Sequence, residues 1–177
     1  MKRAVDLVLA VLVAPVAVPL VCALALVIRR ESGAPALFLQ IRIGRHGRPF
    51  LCRKLRTMRA GTPSLPTHEL DAGAVTSLGR ILRRWKLDEL PQLWNVIRGE
   101  MSLVGPRPCL PVQEELIERR SRLGVLALRP GLTGLAQVRG IDMSNPELCA
   151  AADAEYLASQ SLGLDLEIMA RTLFGRR

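Results

Sequence analysis

Aromatic side chains are scarce: three Phe, two Trp and one Tyr in 177 residues. A single-strand or RNA-binding surface stacks bases on such rings, so this composition argues against nucleic acid as the partner. Cysteine is equally uninformative as a scaffold. Cys22, Cys52, Cys109 and Cys149 are scattered without C-x-x-C spacing, and Cys22 lies in an apolar run. That is the usage of reduced thiols in a cytosol-facing protein, not of a disulfide frame or a zinc site. Internal repeats and low-complexity segments are missing too. Acidic residues are outnumbered, 16 against 25 Lys and Arg, for a net charge of +9. Such an excess favours a polyanionic partner, and with nucleic acid disfavoured an anionic membrane surface is the better match.

The most conspicuous deficit is local. From Leu7 to Ile28 the chain carries no ionisable group except the Cys22 thiol. As a straight helix this stretch would reach roughly 33 Å, enough to cross a bilayer. It is too long for the apolar region of a cleavable signal peptide, and no polar face marks it as a core helix. Lys2 and Arg3 flank one end and Arg29 and Arg30 the other, so charge asymmetry gives no direction across the membrane. Pro15 and Pro19 sit at the middle, where each removes a backbone donor. Two readings follow. A kinked helix spans the bilayer, or the segment enters one leaflet, breaks at the prolines and returns, leaving both basic ends among cytoplasmic headgroups. Asp6 is expected to pair with a neighbouring basic residue at the interface.

The remaining length suffices for one domain with a core. Ala36 to Ile43 and Arg48 to Arg56 alternate around Gly44-Arg45-His46-Gly47, which predicts a short β-hairpin. Residues 60–74 read as a loop. Thr76 or Ser77 caps a basic helix to Trp85, and a second helix runs from Asp88 to about Gly99 with Pro91 in its first turn. Met101 to Pro108 reads as a loop, Pro111 to Arg122 as a helix, and Arg129 to Gly134 as a turn leading to an extended segment at Leu135 to Arg139. Asn145-Pro146-Glu147 opens a helix to about Gln160. Leu162 to Phe174 gives a terminal amphipathic helix that lies on the bilayer or packs on the core. The expectation is an α+β, mostly helical fold: residues 1–31 a re-entrant helix-break-helix, residues 32–177 a cytosolic domain with a hairpin and amphipathic surface helices.

The chemistry concentrates at Asp88-Glu89. Alone, such a pair is an ordinary capped helix start. Here Arg83, Arg84 and Lys86 precede it and Arg98 and Arg107 follow, a clustering that surface pairing worth ~0.3–1 kcal/mol does not require. A helix N-terminus attracts phosphate oxygens while carboxylates repel them, and a bridging Mg²⁺ reconciles the two. Gly105-Pro106-Arg107-Pro108 is a stiff loop carrying one guanidinium, suited to a bidentate phosphate contact or simply a rigid turn.

A series of blocks in order resembles the bacterial sugar transferase family, the small monotopic phosphoglycosyl transferases. They are Lys2-Arg3-x-x-Asp6, Gln40-x-Arg42-x-Gly44, Lys54-Leu55-Arg56-Thr57-Met58, Leu87 to Val96, Gly99 to Pro108, Arg129 to Val138, Asp153-x-x-Tyr156 and Leu164-Asp165-Leu166. The resemblance covers nearly the whole length. It implies a re-entrant helix at the cytoplasmic face of the bacterial inner membrane, contact with membrane lipids, and Mg²⁺-dependent transfer of a sugar 1-phosphate from a UDP-sugar to undecaprenyl phosphate with release of UMP. By position Asp88 matches the nucleophile that forms an aspartyl-phosphosugar, and Glu89 the metal ligand, with Asp88 beside it. Arg83 and Arg107 match phosphate-holding positions, and Lys54 and Arg56 are candidates for lipid phosphate or for a solvated strand face. Gln137 and the Pro130-Gly131 turn are candidates to shape the nucleotide pocket, while Asp153 and Asp165 match positions without an assigned role. Departures are Val18 before Pro19, where many members carry serine, and Leu55 and Leu135 in place of aromatics. Competing readings are a non-catalytic membrane-anchored scaffold and a phosphohydrolase using water as acceptor. The sugar and the glycan pathway (exopolysaccharide, O-antigen or glycoprotein) stay open, as does oligomeric state, with which a homodimer is compatible.

Overall fold

A computed structural model describes residues 1–62 and 72–174. Most of the loop expected at 60–74 therefore lies outside the described residues, as do Arg176 and Arg177. The fold is mostly helical with two small sheets, in agreement with the expected α+β class.

Helix α1 runs from Lys2 to Ser32 and ends in Gly33, whose left-handed backbone (φ 63°) suits a residue without a Cβ. Pro15 and Pro19 stand inside one helical run, not in a stretch of coil between two helices. Proline's fixed φ is close to the helical value, so its cost is a lost hydrogen bond and a bend. The two ends of α1 pack on the domain. Ala10 is buried with Val96 and Met101, and Ile28 with Leu55 and Leu82. Between them Val11, Leu12, Val16 and Val18 are exposed.

Strands β1 (Leu37–Ile43) and β2 (Pro49–Leu55) form the expected antiparallel hairpin, pairing Leu37 with Leu55 and Ile43 with Pro49. Helix α2 (Ser77–Arg84) is capped by the Thr76 hydroxyl, which accepts from the Gly79 amide. Helix α3 (Gln92–Arg98) begins four residues later than the sequence suggested, and Leu87–Glu89 form a separate 3-10 turn. The cause is Pro91. Having no N–H, it cannot bond the Leu87 carbonyl, which instead accepts from Leu90.

Two further differences lie behind the site. Part of the expected loop at 101–108 is a strand, β3 (Ser102–Val104), paired in parallel with β4 (Gly131–Thr133). The extended segment therefore falls at 131–133, and Leu135–Val138 is instead a helical turn, α5. Helix α4 (Glu114–Arg122) starts three residues after Pro111. Asn145 caps α6 (Pro146–Ser159) by accepting from the Leu148 amide. Helix α7 (Leu162–Phe174) packs on the core, burying Ile168 against Val104, Leu135 and Tyr156, and leaves Leu166, Leu173 and Phe174 exposed.

Asp6 does not pair with a basic neighbour. Its carboxylate is buried and accepts from the Ser102 hydroxyl (2.8 Å) and the Leu103 amide (3.1 Å), tying α1 to β3. Neutral donors satisfy it because the neighbouring cations are spent elsewhere. Lys2 pairs with Asp165, and Arg3 donates to the Val96 and Ile97 carbonyls. All four cysteines are free, three of them buried.

Candidate active site

The Asp88-Glu89 pair sits in the 3-10 turn between α2 and α3. The turn is entered through Lys86, whose left-handed backbone (φ 54°) is uncommon for a residue with a side chain. Because the carboxylates lie ahead of α3 and not in its first turn, the helix-dipole argument for phosphate loses its basis. What remains is the positive charge of the surrounding side chains.

Three elements converge on the turn. Asn95 of α3, fully buried, docks against β2 by accepting from the Arg53 amide and donating to the Leu51 carbonyl. Its amide thus stands in for a missing strand partner, which brings β2 and Lys54 beside the turn. Gly79 lets α2 lie directly on the chain after β2. A Cβ there would come within 2.1 Å of the Thr57 carbonyl oxygen. Arg83 consequently donates through Nε to the Thr57 hydroxyl at 2.9 Å, and its charge acts on Asp88.

Arg107 is delivered from the opposite side. The Gly105 and Pro130-Gly131 segments touch backbone to backbone: a Cβ on Gly131 would stand 2.2 Å from the Gly105 nitrogen, and one on Gly134 2.2 Å from its oxygen. Only glycine fits such contacts. Pro130-Gly131 thus backs the loop that carries Arg107. Gln137, which donates weakly to the Leu132 carbonyl at 3.3 Å, leaves its buried Oε1 without a hydrogen-bond partner.

The two carboxylates differ sharply. Glu89 Oε1 accepts from Arg107 at 2.8 Å and from Lys54 at 3.3 Å. Burial pushes its carboxyl pKa up, but the two cations outweigh burial and hold it at about 2. Asp88 is buried and has no ion-pair partner among the described residues. Burial first, then the Glu89 charge, raises its pKa against the pull of Lys54 and Arg83. Burial also lowers the Lys54 pKa, helped by Arg107 and opposed by Glu89. Of the expected residues, Lys54, Arg83 and Arg107 therefore meet the dyad. Arg56 is engaged with the Pro35 carbonyl (2.8 Å) and the Phe38 ring.

A metal would find few protein ligands. Among the described residues no group of three or more His, Cys, Asp or Glu converges. Mg²⁺ nevertheless suits such a site, because it commonly keeps several waters and takes one or two carboxylates plus substrate phosphates.

Two arginines went unassigned in the sequence. Arg42 lies on β1 and donates to the Pro108 carbonyl, while buried Arg120 on α4 pairs with Asp153 and donates to the Arg107 carbonyl. The Gln40-x-Arg42 and Asp153-x-x-Tyr156 blocks were the available signals. Asp165 accepts from Tyr156 and Lys2, which joins α6, α7 and the start of α1.

Over 97% of its length the chain is 45% identical to the UDP-glucose:undecaprenyl-phosphate glucose-1-phosphate transferase of Caulobacter vibrioides, 68% of which is covered. It is 35% identical to the exopolysaccharide production protein ExoY of Sinorhizobium fredii, of which 83% is covered. With an Escherichia coli UDP-glucose:undecaprenyl-phosphate glucose-1-phosphate transferase the identity is 34%, and the chain spans 39% of that protein. Residues 1–176 match the bacterial sugar transferase family along their whole extent, and the chain belongs to that family.

Proposed function

We propose that this chain is a phosphoglycosyl transferase that moves a sugar 1-phosphate from a UDP-sugar onto undecaprenyl phosphate and releases UMP, as a membrane step of glycan assembly such as exopolysaccharide synthesis. The observation that carries the reading is the split dyad: a buried Asp88 with no ion-pair partner among the described residues beside a Glu89 held ionised by Arg107 and Lys54. A carboxylate that no ion pair among the described residues ties down is free to attack. Its Oδ would bond to the sugar-bearing phosphorus as the bond to the UMP oxygen breaks. A phosphate oxygen of the lipid would then attack the same phosphorus and return Asp88 as a carboxylate. Arg107, Lys54 and Arg83 supply positive charge where the diphosphate would lie. Glu89, with Asp88 beside it, would hold Mg²⁺, which when bound neutralises diphosphate charge.

The membrane part of the reading is re-entry. A straight helix of 31 residues is ~46 Å long. Here α1 meets one small domain at Ala10 and again at Ile28, with an exposed apolar stretch between. Ala17, between the two prolines, is buried although its neighbours are not, as expected on the inside of a bend. Both basic ends then lie on one face, which we assign to the cytoplasmic side of the inner membrane. Cysteines engineered near Lys2 and Arg30 should label from the same side, and opposite sides would overturn re-entry.

The activity test is a screen of UDP-sugars with undecaprenyl phosphate and Mg²⁺, reading UMP. Intact mass on enzyme quenched without lipid acceptor should show one sugar-phosphate adduct, lost in Asp88→Asn. A fully active Asp88→Asn protein would remove the nucleophile assignment, and UMP release unaffected by acceptor would favour a hydrolase.

A further inference from the structure

The loop that carries Arg107 has a proline on either side of it, so two of its residues lack amide donors. Its carbonyls from Pro106 to Cys109, by contrast, are all taken. Pro106 O accepts from the Gly131 amide (2.8 Å) and Cys109 O from the Ile43 amide (2.9 Å). Between them, Arg107 O accepts from Arg120 Nη1 (2.9 Å) and Pro108 O from Arg42 Nη1 (2.7 Å). Four successive carbonyls are thus held from β4, α4 and β1. The middle two, on Arg107 and the residue after it, are held by guanidinium groups.

Each of these guanidiniums is itself fixed. Arg42 directs Nε and Nη2 at Gln40 Oε1, at 3.0 and 2.6 Å. Arg120 directs Nε and Nη2 at Asp153 Oδ2, at 2.9 and 2.6 Å, and both side chains of that pair are almost wholly buried. Burying such a pair is expensive, and apolar residues of similar volume would stabilise the fold as well or better. The pair therefore does something besides filling the core. In both cases two nitrogens of the planar fork, Nε and Nη2, hold the orienting residue and the third, Nη1, reaches the loop. Lysine cannot reproduce that arrangement, since its donors radiate from a single nitrogen.

We infer that Arg42, oriented by Gln40, and Arg120, oriented by Asp153, are positioning residues. They clamp the backbone on either side of the Arg107–Pro108 peptide and so hold the Arg107 guanidinium at Glu89 and the diphosphate. Neither touches the dyad by hydrogen bond or ion pair; they act through Arg107. This gives Asp153 and Gln40 roles that their sequence positions did not. The inference rests on the transferase reading only for its effect on turnover.

The test uses Arg42→Lys and Arg120→Lys in the full-length protein in detergent, with melting temperature confirming the fold. Hydrogen exchange at the non-proline amides of residues 103–110 should speed up in each variant while exchange in α6 stays protected. With the UDP-sugar identified by the screen, each variant should lose about tenfold to a hundredfold in kcat/KM, the scale of a small misplacement at a reacting group. In an Arg107→Ala background the further loss should shrink below about twofold, because residues acting through one group are not additive. Undiminished losses in that background, or unchanged exchange at 103–110, would overturn the inference. If Arg120→Lys does not fold, Arg42→Lys, on a hairpin residue less buried than Arg120, answers the same question. If no UDP-sugar is turned over by the wild type, the transferase reading fails, and the exchange measurement still decides the clamp.

Discussion

Two carboxylate–guanidinium pairs, Glu89 with Arg107 and Asp153 with Arg120, stand on either side of the same loop and differ in how their charge is balanced. The Asp153 pair is closed: one carboxylate, one guanidinium, both buried, and the spare donor spent on a backbone carbonyl. The Glu89 pair is open. Two cations share one carboxylate oxygen, Arg83 and Arg42 act electrostatically nearby, and Asp88 has no ion-pair partner among the described residues. Buried charge that balances locally belongs to architecture. Charge left unbalanced in a partly buried place marks a candidate ligand site, and on the proposed function the ligand is rich in phosphate.

The largest test of that contrast is Asp88→Asn. Turnover should fall about a thousandfold or more, as expected for loss of a nucleophile. Its melting temperature should hold or rise, since the change removes a carboxylate that burial and Glu89 both disfavour. Asp153→Ala should do the reverse. It strands Arg120 in the core, so urea denaturation should show a loss of about 3–5 kcal/mol. An Asp153→Ala protein of normal stability would mean that the two pairs are not different in kind.

Titration gives a smaller and more discriminating test. In metal-free protein Glu89 ionises at about 2, below its ordinary 4.5. A depressed carboxylate stabilises the fold above its unfolded pKa and loses that contribution as pH falls toward its folded one. The window is therefore pH 4.5 down to about 2, and the contribution is about 3 kcal/mol. Asp88, shifted upward, works the other way: its penalty is present at neutral pH and is relieved on acidification. Unfolding free energies from urea denaturation at pH 5 and pH 2.5 should therefore differ by about 2 kcal/mol less in Glu89→Gln than in wild type. Identical pH dependence in the two proteins would show that Arg107 and Lys54 do not hold Glu89 ionised.

How much of this could be read from the chain alone depended on the range of the interaction. The hairpin was legible because Leu37, Leu39 and Ile41 alternate with their neighbours and glycine marks the turn. Thr76 and Asn145 announced helix starts because a cap is a three-residue event. Strands β3 and β4 were illegible: three residues each, joined through glycine backbones, they leave no side-chain period to detect. The carboxylate pair was visible as a motif, but its asymmetry was not. That asymmetry comes from Lys54 and Arg107, which lie 35 residues before and 18 residues after Glu89 and meet it only in the fold. Asp6 was misread for the same reason, its partners being 96 and 97 residues away.

A third pair sets the lower end of the scale. Lys2 Nζ lies 2.6 Å from Asp165, but the Lys2 side chain is 26% exposed, against 7% for Asp165. Asp165 is in addition held by the Tyr156 hydroxyl at 2.5 Å, a neutral donor that survives removal of the lysine. Lys2→Met should therefore cost no more than about 1 kcal/mol, the range of a solvent-screened pair with a second donor in reserve. Most of that cost should vanish at high ionic strength, because an exposed ammonium is screened by salt. The start of α1 would stay in place, since Arg3 still bonds the carbonyls of α3 and Asp6 still holds β3. A loss of several kcal/mol in urea denaturation, insensitive to salt, would put Lys2–Asp165 with the closed pair in the core. It would also mean that the first turn of the membrane helix is anchored by charge and not by the hydrogen bonds of its neighbours.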